Sequence, residues 1–385
     1  MQTALAQARP AFLLPESTLH QYFIELLNLA GIEPGGKQPW DMQLNAFNVP
    51  ERVFADGNLG LGESYMEGDW DVKQLDEFFY RLLRARLPDK VQPTQMLLHA
   101  LKVKLFNRQS QKRAWQVGEQ HYDLGNDFYA AMLDKRMTYT CGYWQNAENL
   151  EQAQEAKLDL ICRKLQLKSG MKVLDIGCGW GSFMTYAAQH YGVKCVGLTI
   201  SKEQANWVNT FYSHLPIHAR LQDYRDINEP FDRVVSVGMF EHVGRKNYQQ
   251  YMQVAHRCLK DDGLFLLHTI GKNQRSGHCD PWIDKYIFPN GELPALGHIT
   301  DAAEKLFVIE DLHNFGADYD KTLMAWHANF EKSWPQFSAT LGPRFYRMWR
   351  YYLLSCAGAF RARDIQLWQW VLSKQGVIGG YERVS

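Results

Sequence analysis

Residues 173–181, with the sequence VLDIGCGWG, constrain the fold of this chain more than any other segment. A short apolar strand runs into a turn that contains Gly177, Gly179 and Gly181, and a helix-like segment follows. Glycine lets the backbone turn tightly and approach a ligand that any Cβ would exclude. Asp175 stands at the carboxyl end of the strand, where open α/β sheets bind their ligands. The segment therefore predicts a ligand site at the edge of a parallel sheet.

The spacing of these glycines narrows the class of ligand. The pattern G-x-G-x-G differs from the G-x-G-x-x-G of dinucleotide sites, and no Lys-Ser or Lys-Thr pair follows that could hold phosphates. Both features favour a nucleoside ligand without a pyrophosphate, and S-adenosylmethionine (SAM) is the main candidate. An ordinary glycine-rich turn in a parallel sheet is the alternative interpretation of the same residues.

Four apolar segments that follow residue 116 are predicted to be buried strands. They are KVLDI, KCVGLT, DRVVSVG and LFLLHTI, and helical segments begin between them near Gly181, Ser201 and Asn247. This alternation is typical of a parallel, doubly wound sheet. The last 65 residues predict aromatic-rich helices in TLMAWHANFEKSWPQF, RFYRMWRYYLLSCAGAF and RDIQLWQWVL.

Residues 1–92 predict a small, mainly helical amino-terminal domain. Apolar residues at helical spacing predict one helix in STLHQYFIELLNLAGI, capped by Ser17, and a second from Leu75 to Leu87. The intervening GNLGLGESYMEGDWD is predicted to be a loop because it has four glycines within twelve residues. The catalytic domain is expected to span residues 116–385.

Composition limits the class of protein. A chain of 385 residues with 46% hydrophobic content can bury a large core and is expected to form two domains. The 42 basic and 42 acidic residues cancel, which gives no support to a nucleic-acid partner. Seven scattered cysteines, never in CxxC spacing, and a start without a signal peptide predict a reduced cytoplasmic protein without disulfides or a metal site. The sequence has no run of about 18 apolar residues, so no membrane span is predicted.

Local charge is less even than the total. Residues 41–80 hold nine acidic side chains against two basic ones, whereas residues 81–113 hold nine basic side chains against one acidic one. The basic part includes a connector, residues 93–115, in which leucines follow one helical face. Such a segment could rest on an anionic membrane surface, where each base contributes on the order of 1 kcal/mol. A solvated linker helix between the domains is the alternative.

Nine strings in this sequence resemble one enzyme family, the cyclopropane-fatty-acyl-phospholipid synthases. They are HYDLGNDFY, MTYTCGYW, VLDIGCGWG, VGLTISKEQ, QDYRD, GMFEHVG, LLHTIG, NFGADYDKTLMAW and CAGAFRARDIQLWQ. The likeness extends to GNLGLGESYMEGDW in the amino-terminal domain, which the shorter mycolic-acid relatives lack. The resemblance implies an α/β, doubly wound, Rossmann-like class I SAM-dependent methyltransferase domain beside the small helical domain. It also implies transfer of the SAM methyl carbon to the cis double bond of a phospholipid acyl chain, which forms a cyclopropane.

The resemblance implies a set of cofactor-binding residues. General SAM sites often end the second strand with an acid that holds the ribose, but here the sequence reads LTIS. The family pattern T-x-S-x-x-Q replaces that acid, and a Gln-Asp pair follows at the next strand end. Residues on the amino-terminal side close over the cofactor. The implied contacts are Tyr139, Thr140, Asp175, Gly177, Gly179, Gly181, Thr199, Ser201, Gln204, Gln222 and Asp223.

The reaction itself requires a base and a dry pocket. Attack of the alkene on the sulfonium methyl leaves a carbocation that water would trap, so aromatic walls are expected. A protein carboxylate or imidazole could take the methyl proton, whereas the family suggests a bound bicarbonate ion held without metal. The implied positions are Cys141, Glu241, His268, the backbone of Ile270, and Tyr319. We hypothesise that Glu241 orients and charges His268, and that His268 and Tyr319 donate to the anion.

Cys356 is a further position that the family associates with catalysis. An alkene is not an electrophile that a thiolate attacks, so a buried cysteine near the acyl tunnel is the preferred interpretation. The resemblance also implies an unsaturated phospholipid as substrate, peripheral contact with the inner face of the membrane, and a homodimer. Two other interpretations stay open: a heteroatom methyltransferase and a non-enzymatic lipid-binding protein. Within the family, addition of water to the cation would give a hydroxylated chain.

Overall fold

The computed structural model describes residues 18–86, 124–275 and 279–384. The proposed cap at Ser17, the predicted helix end at Leu87 and the basic connector 93–115 lie outside these residues. The two predicted domain boundaries, at residues 92 and 116, lie outside them as well.

The described amino-terminal part is mainly helical. Its helices are α1 (Thr18–Leu29), α2 (Val49–Asp56), α3 (Asn58–Glu67) and α4 (Leu75–Arg84). Two short strands, β1 (Gln43–Leu44) and β2 (Trp70–Asp71), pair antiparallel. The helices predicted around α1 and α4 are therefore confirmed over these ranges.

The loop predicted between these helices is wrong, because α3 occupies most of it. A Cβ on Gly60 would collide with the backbone carbonyl of Arg52, and a Cβ on Gly62 would collide with the ring of Trp282. These glycines let α3 pack closely against its neighbours rather than forming turns. Only Gly68, with φ of 83°, ends the helix in the left-handed conformation.

A seven-stranded sheet with strand order β5-β4-β3-β6-β7-β9-β8 forms the centre of the rest of the chain. Its strands are β3 (Lys172–Ile176), β4 (Lys194–Thr199), β5 (Ile217–Leu221), β6 (Phe231–Val237), β7 (Leu259–Lys272), β8 (Val308–Asn314) and β9 (Ile365–Ser373). The strands from β5 to β7 are parallel, as predicted. Strand β9 runs antiparallel to both β7 and β8, so the expectation of a wholly parallel sheet is corrected.

Helices cover the sheet and extend from it. They are α5 (Asn126–Met132), α6 (Leu150–Lys164), α7 (Ser182–Tyr191), α8 (Lys202–Phe211), α9 (Tyr248–Cys258), α10 (Pro281–Tyr286), α11 (Leu296–Ala303) and α12 (Ala317–Arg361). The predicted helix starts near residues 181, 201 and 247 are confirmed by α7, α8 and α9. The aromatic helices predicted in residues 322–337 and 344–360 are confirmed by α12.

The helix predicted in RDIQLWQWVL is wrong, because residues 365–373 form β9. This strand lies between β7 and β8 and is buried along almost its whole length. A strand covered on both faces shows a continuous apolar run instead of alternation, so periodicity does not distinguish it from a buried helix.

Helix α12 bends sharply at Gly342, whose φ is 72° and ψ is 168°. Phe330 stacks on Tyr346 with ring centroids 5.7 Å apart, and Trp334 stacks on Phe345 at 6.3 Å. Residues so distant along one straight helix could not touch, so the two halves fold back on each other. The second half also carries Arg347, which donates to the carbonyl oxygens of Tyr65 and Trp70 in the amino-terminal part.

Candidate active site

A cavity opens at the carboxyl ends of β3, β4 and β6, where parallel sheets bind their ligands. Most of the residues that the sequence predicted for SAM line it. They are Tyr139, Thr140, Asp175, Gly177, Gly179, Thr199, Gln204, Gln222 and Asp223. Gly181 and Ser201 are not part of its wall. The rest of the wall is largely apolar and includes Trp180, Phe183, Leu198 and Met239.

The glycine turn is tight, and Gly177, Gly179 and Gly181 all have φ between 53° and 88°. A Cβ on Gly177 would lie 2.6 Å from Cγ of Met239, and a Cβ on Gly181 would lie 2.9 Å from Cγ2 of Val208. The amides of residues 177 and 178 both donate to the carbonyl of Leu198, at 3.0 and 2.9 Å. These two amides are thus used inside the fold, which leaves shape and close approach as their contribution to a ligand site.

Asp175 is a buried carboxyl group in the cavity wall. Burial raises its pKa to about 7, although the nearby charge of Lys157 acts in the opposite direction. Its Oδ1 has no hydrogen-bond partner among the described residues. A buried polar atom without a partner is costly, so this oxygen suits a donor supplied by a ligand.

The T-x-S-x-x-Q segment forms a local hydrogen-bond network. Thr199 donates from Oγ1 to Oε1 of Gln204 at 2.7 Å, and the amide of Ser201 donates to Oγ1 of Thr199 at 3.1 Å. Oγ of Ser201 accepts from the amide of Gln204 at 3.2 Å and so caps α8. Ser201 therefore positions the two cavity-facing residues from behind the wall.

Gln222 and Asp223 follow β5 and reach the same cavity. The amide of Gln222 donates to the carbonyl of Thr199 at 3.0 Å, which fixes the pair beside β4. Asp223 Oδ1 accepts from the amide of Arg225 at 2.9 Å and lies 3.0 Å from that residue's Nε.

Tyr139 and Thr140 approach the cavity from the segment that precedes α6. Tyr139 donates from its hydroxyl to the hydroxyl of Tyr352 on α12 at 3.0 Å. Oγ1 of Thr140 accepts a hydrogen bond from the ammonium of Lys157 at 2.8 Å. The two residues thus join the cofactor cavity to α12 and to α6.

The residues implied for bicarbonate lie outside the wall of this cavity, and all of them are buried except Ile270, which is half-buried. They are called the buried group. Oε1 of Glu241 accepts from the amide of Ile270 at 2.6 Å, which links the turn after β6 to the end of β7. Burial raises the pKa of Glu241 to about 7, against the lowering effect of that amide. Its Oε2 has no hydrogen-bond partner among the described residues.

The side-chain hydrogen bond of His268 and its lowered pKa contradict the hypothesis that Glu241 orients and charges it. Gln369 on β9 donates from Nε2 to Nδ1 of His268 at 3.2 Å, so the neutral ring carries its proton on Nε2. Burial, assisted by the positive charges of Lys157 and Lys164, holds the pKa of His268 well below its usual range. The ring is therefore neutral at physiological pH, and its Nε2 has no partner in the described part of the chain.

Cys141 and Tyr319 complete this group, and Cys356 lies near Tyr319 but is half-buried rather than buried as expected. Tyr319 is buried, and its ring stacks on Phe360 at 4.5 Å. Burial, assisted by the nearby carboxyl group of Glu241, raises the pKa of Tyr319 well above the usual range. Burial raises the pKa of the Cys141 thiol well above its usual range and that of Cys356 to about 12. Both thiols are therefore protonated near neutral pH.

An aromatic wall lies between the cofactor cavity and this group. The ring of Trp326 is 5.2 Å from that of Tyr139 and 6.0 Å from that of Tyr319, measured between centroids. Phe288 lies 6.5 Å from Tyr139 and 5.7 Å from Tyr352. Aromatic ring faces stabilise a cation by roughly 0.5–2 kcal/mol each.

Sequence reasoning missed two polar residues at this site. Gln369 was within a matching string, but the helix predicted there hid its pairing with His268 across the β7–β9 ladder. Lys157 is 1% exposed on α6 and lines the cavity, and nothing in its local sequence indicates that burial. In the described ranges, no three His, Cys, Asp or Glu residues group as metal ligands, and no helix is long and apolar enough to cross a membrane.

The sheet order and the cavity at the carboxyl ends of β3 and β4 define a class I SAM-dependent methyltransferase fold. The structure of coclaurine N-methyltransferase shares this fold, with a TM-score of 0.66, 21% identity, and coverage of 82% of this chain and 99% of that chain. Mycolic acid cyclopropane synthase CmaA1 complexed with SAH (S-adenosylhomocysteine) and CTAB matches with a TM-score of 0.64 and 35% identity. That match covers 68% of this chain and 98% of the other.

Sequence comparison identifies the family. The model of the family "Mycolic acid cyclopropane synthetase" matches residues 109–370. Cyclopropane-fatty-acyl-phospholipid synthase of Escherichia coli K12 is 53% identical over 371 residues, which cover 95% of this chain and 96% of that protein. The chain belongs to this family of SAM-dependent cyclopropane synthases.

Proposed function

We propose that this protein transfers the methyl carbon of SAM to the cis double bond of a phospholipid acyl chain, loses a proton to bound bicarbonate, and closes a cyclopropane ring. The main support is the 53% identity over 95% of the chain to the phospholipid enzyme, because this match includes the amino-terminal part. The mycolic-acid structure, by contrast, matches only 68% of the chain.

The residues of the buried group are chemically suited to a small oxyanion. Neutral His268 presents Nε2–H without an acceptor, and Oε2 of Glu241, protonated over much of the neutral range, is a second unpaired group. Tyr319 and Cys141 would add hydroxyl and thiol donors. The amide of Ile270 is engaged by Glu241, so its backbone contact to an anion would require Glu241 to shift or share. Bound bicarbonate would supply the base for the methyl proton.

The protein's own residues orient the reactants and exclude water. An isolated alkene is a weak nucleophile, so its alignment with the sulfonium methyl must supply much of the rate. Trp326, Tyr139 and Phe288 surround the path between cofactor and buried group with aromatic surface. A carbocation held there is shielded from hydration, which favours ring closure over alcohol formation.

Lipid access is proposed to occur at a membrane surface. The excess of basic side chains in residues 81–113 supports peripheral contact with anionic lipid on the cytoplasmic side. We also propose, from the family resemblance, that the protein acts as a homodimer. Binding to anionic vesicles should weaken as salt rises, and sedimentation should give the mass of two chains.

The proposed reaction is tested with methyl-labelled SAM and vesicles of cis-unsaturated phospholipid. Mass spectrometry should find acyl chains heavier by one CH₂ that carry the label. A labelled chain with an added hydroxyl group would show that water traps the cation. Release of unlabelled SAH together with a labelled methylated amine or phenol, or no SAM binding at all, would contradict the proposal.

A further inference from the structure

Lys157 is a buried cation in the wall of the cofactor cavity. It projects from α6, is 1% exposed, and donates to Oγ1 of Thr140 at 2.8 Å. No carboxylate of the described residues lies within 4.0 Å of its ammonium group. A hydroxyl oxygen compensates a buried charge only in part, because an ammonium carries three donors.

Lys164, seven positions later on the same helix, provides a contrast. Its ammonium is equally buried but lies 3.5 Å from Oδ2 of Asp311 and 3.1 Å from Nδ1 of His313. The protein itself thus supplies the partners of Lys164. Lys157 has no such direct pair in the described chain, since the carboxylates of Asp134 and Asp175 act on it only electrostatically from a greater distance. The cavity is the space in which a ligand could provide a direct partner.

Asp175 supplies a charge of the opposite sign to the same cavity. Its Oδ1 lacks a partner, and the charge of Lys157 acts on it electrostatically. An amino acid has one ammonium and one carboxylate on the same carbon. A wall with one carboxylate and one ammonium, both incompletely paired, is complementary to such a zwitterion.

We propose that Lys157 binds the α-carboxylate of the methionine portion of SAM, while Asp175 receives its α-ammonium. This inference rests on the proposed use of SAM and adds a residue and an orientation to it. Thr140, held by Lys157, would contribute its hydroxyl beside the same carboxylate. Burial lowers the pKa of Lys157 to about 8, and a bound carboxylate would raise it again.

The test compares two ligands that differ only in the carboxylate. These are SAH and decarboxylated SAH, which keeps the ammonium, and their affinities are measured by calorimetry. Wild-type protein should prefer SAH by about 30-fold or more, the cost of removing one partner of a buried charge pair. Lys157→Met should weaken SAH by a similar factor and leave decarboxylated SAH within about threefold.

Two variants make the comparison specific. Lys157→Arg, which keeps the charge, should recover part of the preference for SAH. Lys164→Met removes an equally buried lysine whose partners lie outside the cavity, so the ratio of the two affinities should not change. Lys157→Met removes a buried charge that has no ion-pair partner, whereas Lys164→Met leaves the buried side chain of Asp311 without this partner and should lower stability. Circular dichroism with thermal melting measures the folding of both variants, and affinities are compared at a temperature at which both are folded.

The outcomes separate this inference from the proposed function. Equal affinity of the wild type for both ligands overturns the role of Lys157 without any variant, and so does an unchanged ratio in Lys157→Met. In both cases SAM use and product formation would stand. Failure of the wild type to bind SAH at all would overturn the proposed function and this inference together.

Discussion

Gln369 donates a hydrogen bond from Nε2 to Nδ1 of His268 over 3.2 Å, and the two residues are direct partners in the β7–β9 ladder. The backbone register places the two side chains next to each other on the same face of the sheet, and the hydrogen bond between them orients the imidazole. The same bond places the ring proton on Nε2. A strand pairing thus determines which nitrogen of His268 can donate into the buried group.

Replacement of this amide should affect turnover more than cofactor binding. Gln369→Leu allows the neutral ring to change tautomer, so we expect kcat to fall by about tenfold, which equals the loss of one hydrogen bond of about 1.4 kcal/mol. The bicarbonate concentration needed for half-maximal rate should rise, while the Kd of SAH changes by less than about twofold. Steady-state kinetics with added bicarbonate and calorimetry measure these quantities.

Ser373→Ala is the matched control, because it removes a hydrogen bond between the same strand and Glu310, far from His268. Its kcat should equal that of the wild type. If Gln369→Leu lowers kcat no more than this control does, the tautomer of His268 does not matter for turnover.

Glu241 predicts a pH dependence of stability. Its pKa in the folded protein is about 7, above the usual value of 4.5. As the pH rises, the carboxyl group therefore loses its proton at a lower pH in the unfolded chain than in the folded protein. The contribution of this group to the free energy of unfolding is largest below pH 4.5 and decreases as the pH rises towards 7. Glu241→Gln should therefore be more stable than the wild type at pH 8, by about 1–3 kcal/mol, with a smaller difference near pH 5.

Urea unfolding at both pH values measures this difference, and Glu229 provides a control of opposite sign. Hydrogen bonds from Arg220 and Lys172 lower the pKa of Glu229 to about 2, so its contribution is present above its usual pKa of 4.5. Glu229→Gln should reduce stability at neutral pH. Equal stability of Glu241→Gln and the wild type at pH 8 would contradict the raised pKa.

The sequence predicts those parts of the site that depend on local pattern. The strand–glycine–helix segment around Asp175 and the starts of the following helices are local features, and they lie where the sequence placed them. The geometry around His268 depends instead on a partner 101 residues later in the chain. Its strand, covered on both faces, has no alternation that distinguishes it from a helix.

The glycines of α3 show a second limit of sequence reasoning. Gly60 and Gly62 lie in a glycine-rich segment that is typical of a turn. In the structure, their lack of a side chain instead allows close packing against Arg52 and Trp282. A glycine needed for positive φ and a glycine needed for contact are identical in sequence. Only the neighbouring element, which is 220 residues away for Gly62, distinguishes them.

Replacement of Trp326 should change the ratio of cyclopropane to hydroxylated products. Its ring lies between those of Tyr139 and Tyr319, so Trp326→Phe should open space for water beside the carbocation. We expect a lower rate of cyclopropane formation and a larger share of hydroxylated, methyl-branched chains, both measured by mass spectrometry. Trp370→Phe creates a similar cavity in the separate core cluster that contains Trp368 and should leave the product ratio unchanged. A change of equal size in both variants would rule out a specific role for Trp326.

Gly358 on α12 packs closely against α4 of the amino-terminal part, so its replacement tests how much this contact contributes to stability. A Cβ at this position would lie 2.6 Å from the carbonyl oxygen of Asp76 and 2.7 Å from Cβ of Phe79. Gly358→Ala should push α4 away and reduce the free energy of unfolding by about 1–3 kcal/mol, the usual cost of overpacking. Ser355→Ala, one turn earlier, adds no atom and serves as control in the same denaturation experiment. A stability of Gly358→Ala equal to that of Ser355→Ala would show that α4 adjusts without strain.

Cys356 should be dispensable for the chemical step. Burial raises the pKa of its thiol to about 12, so less than about one part in ten thousand is thiolate at pH 7.5. The alkene is also not an electrophile. Cys356→Ser should keep more than about a third of the wild-type kcat, because it changes one atom in a protonated side chain. Cys356→Trp should instead reduce activity with lipid while leaving the Kd of SAH unchanged, since Cys356 packs against the aromatic core near Tyr319 and Tyr352 and is not part of the wall of the cofactor cavity. Loss of all activity in the serine variant, with normal SAH binding and folding, would require a chemical role for the sulfur.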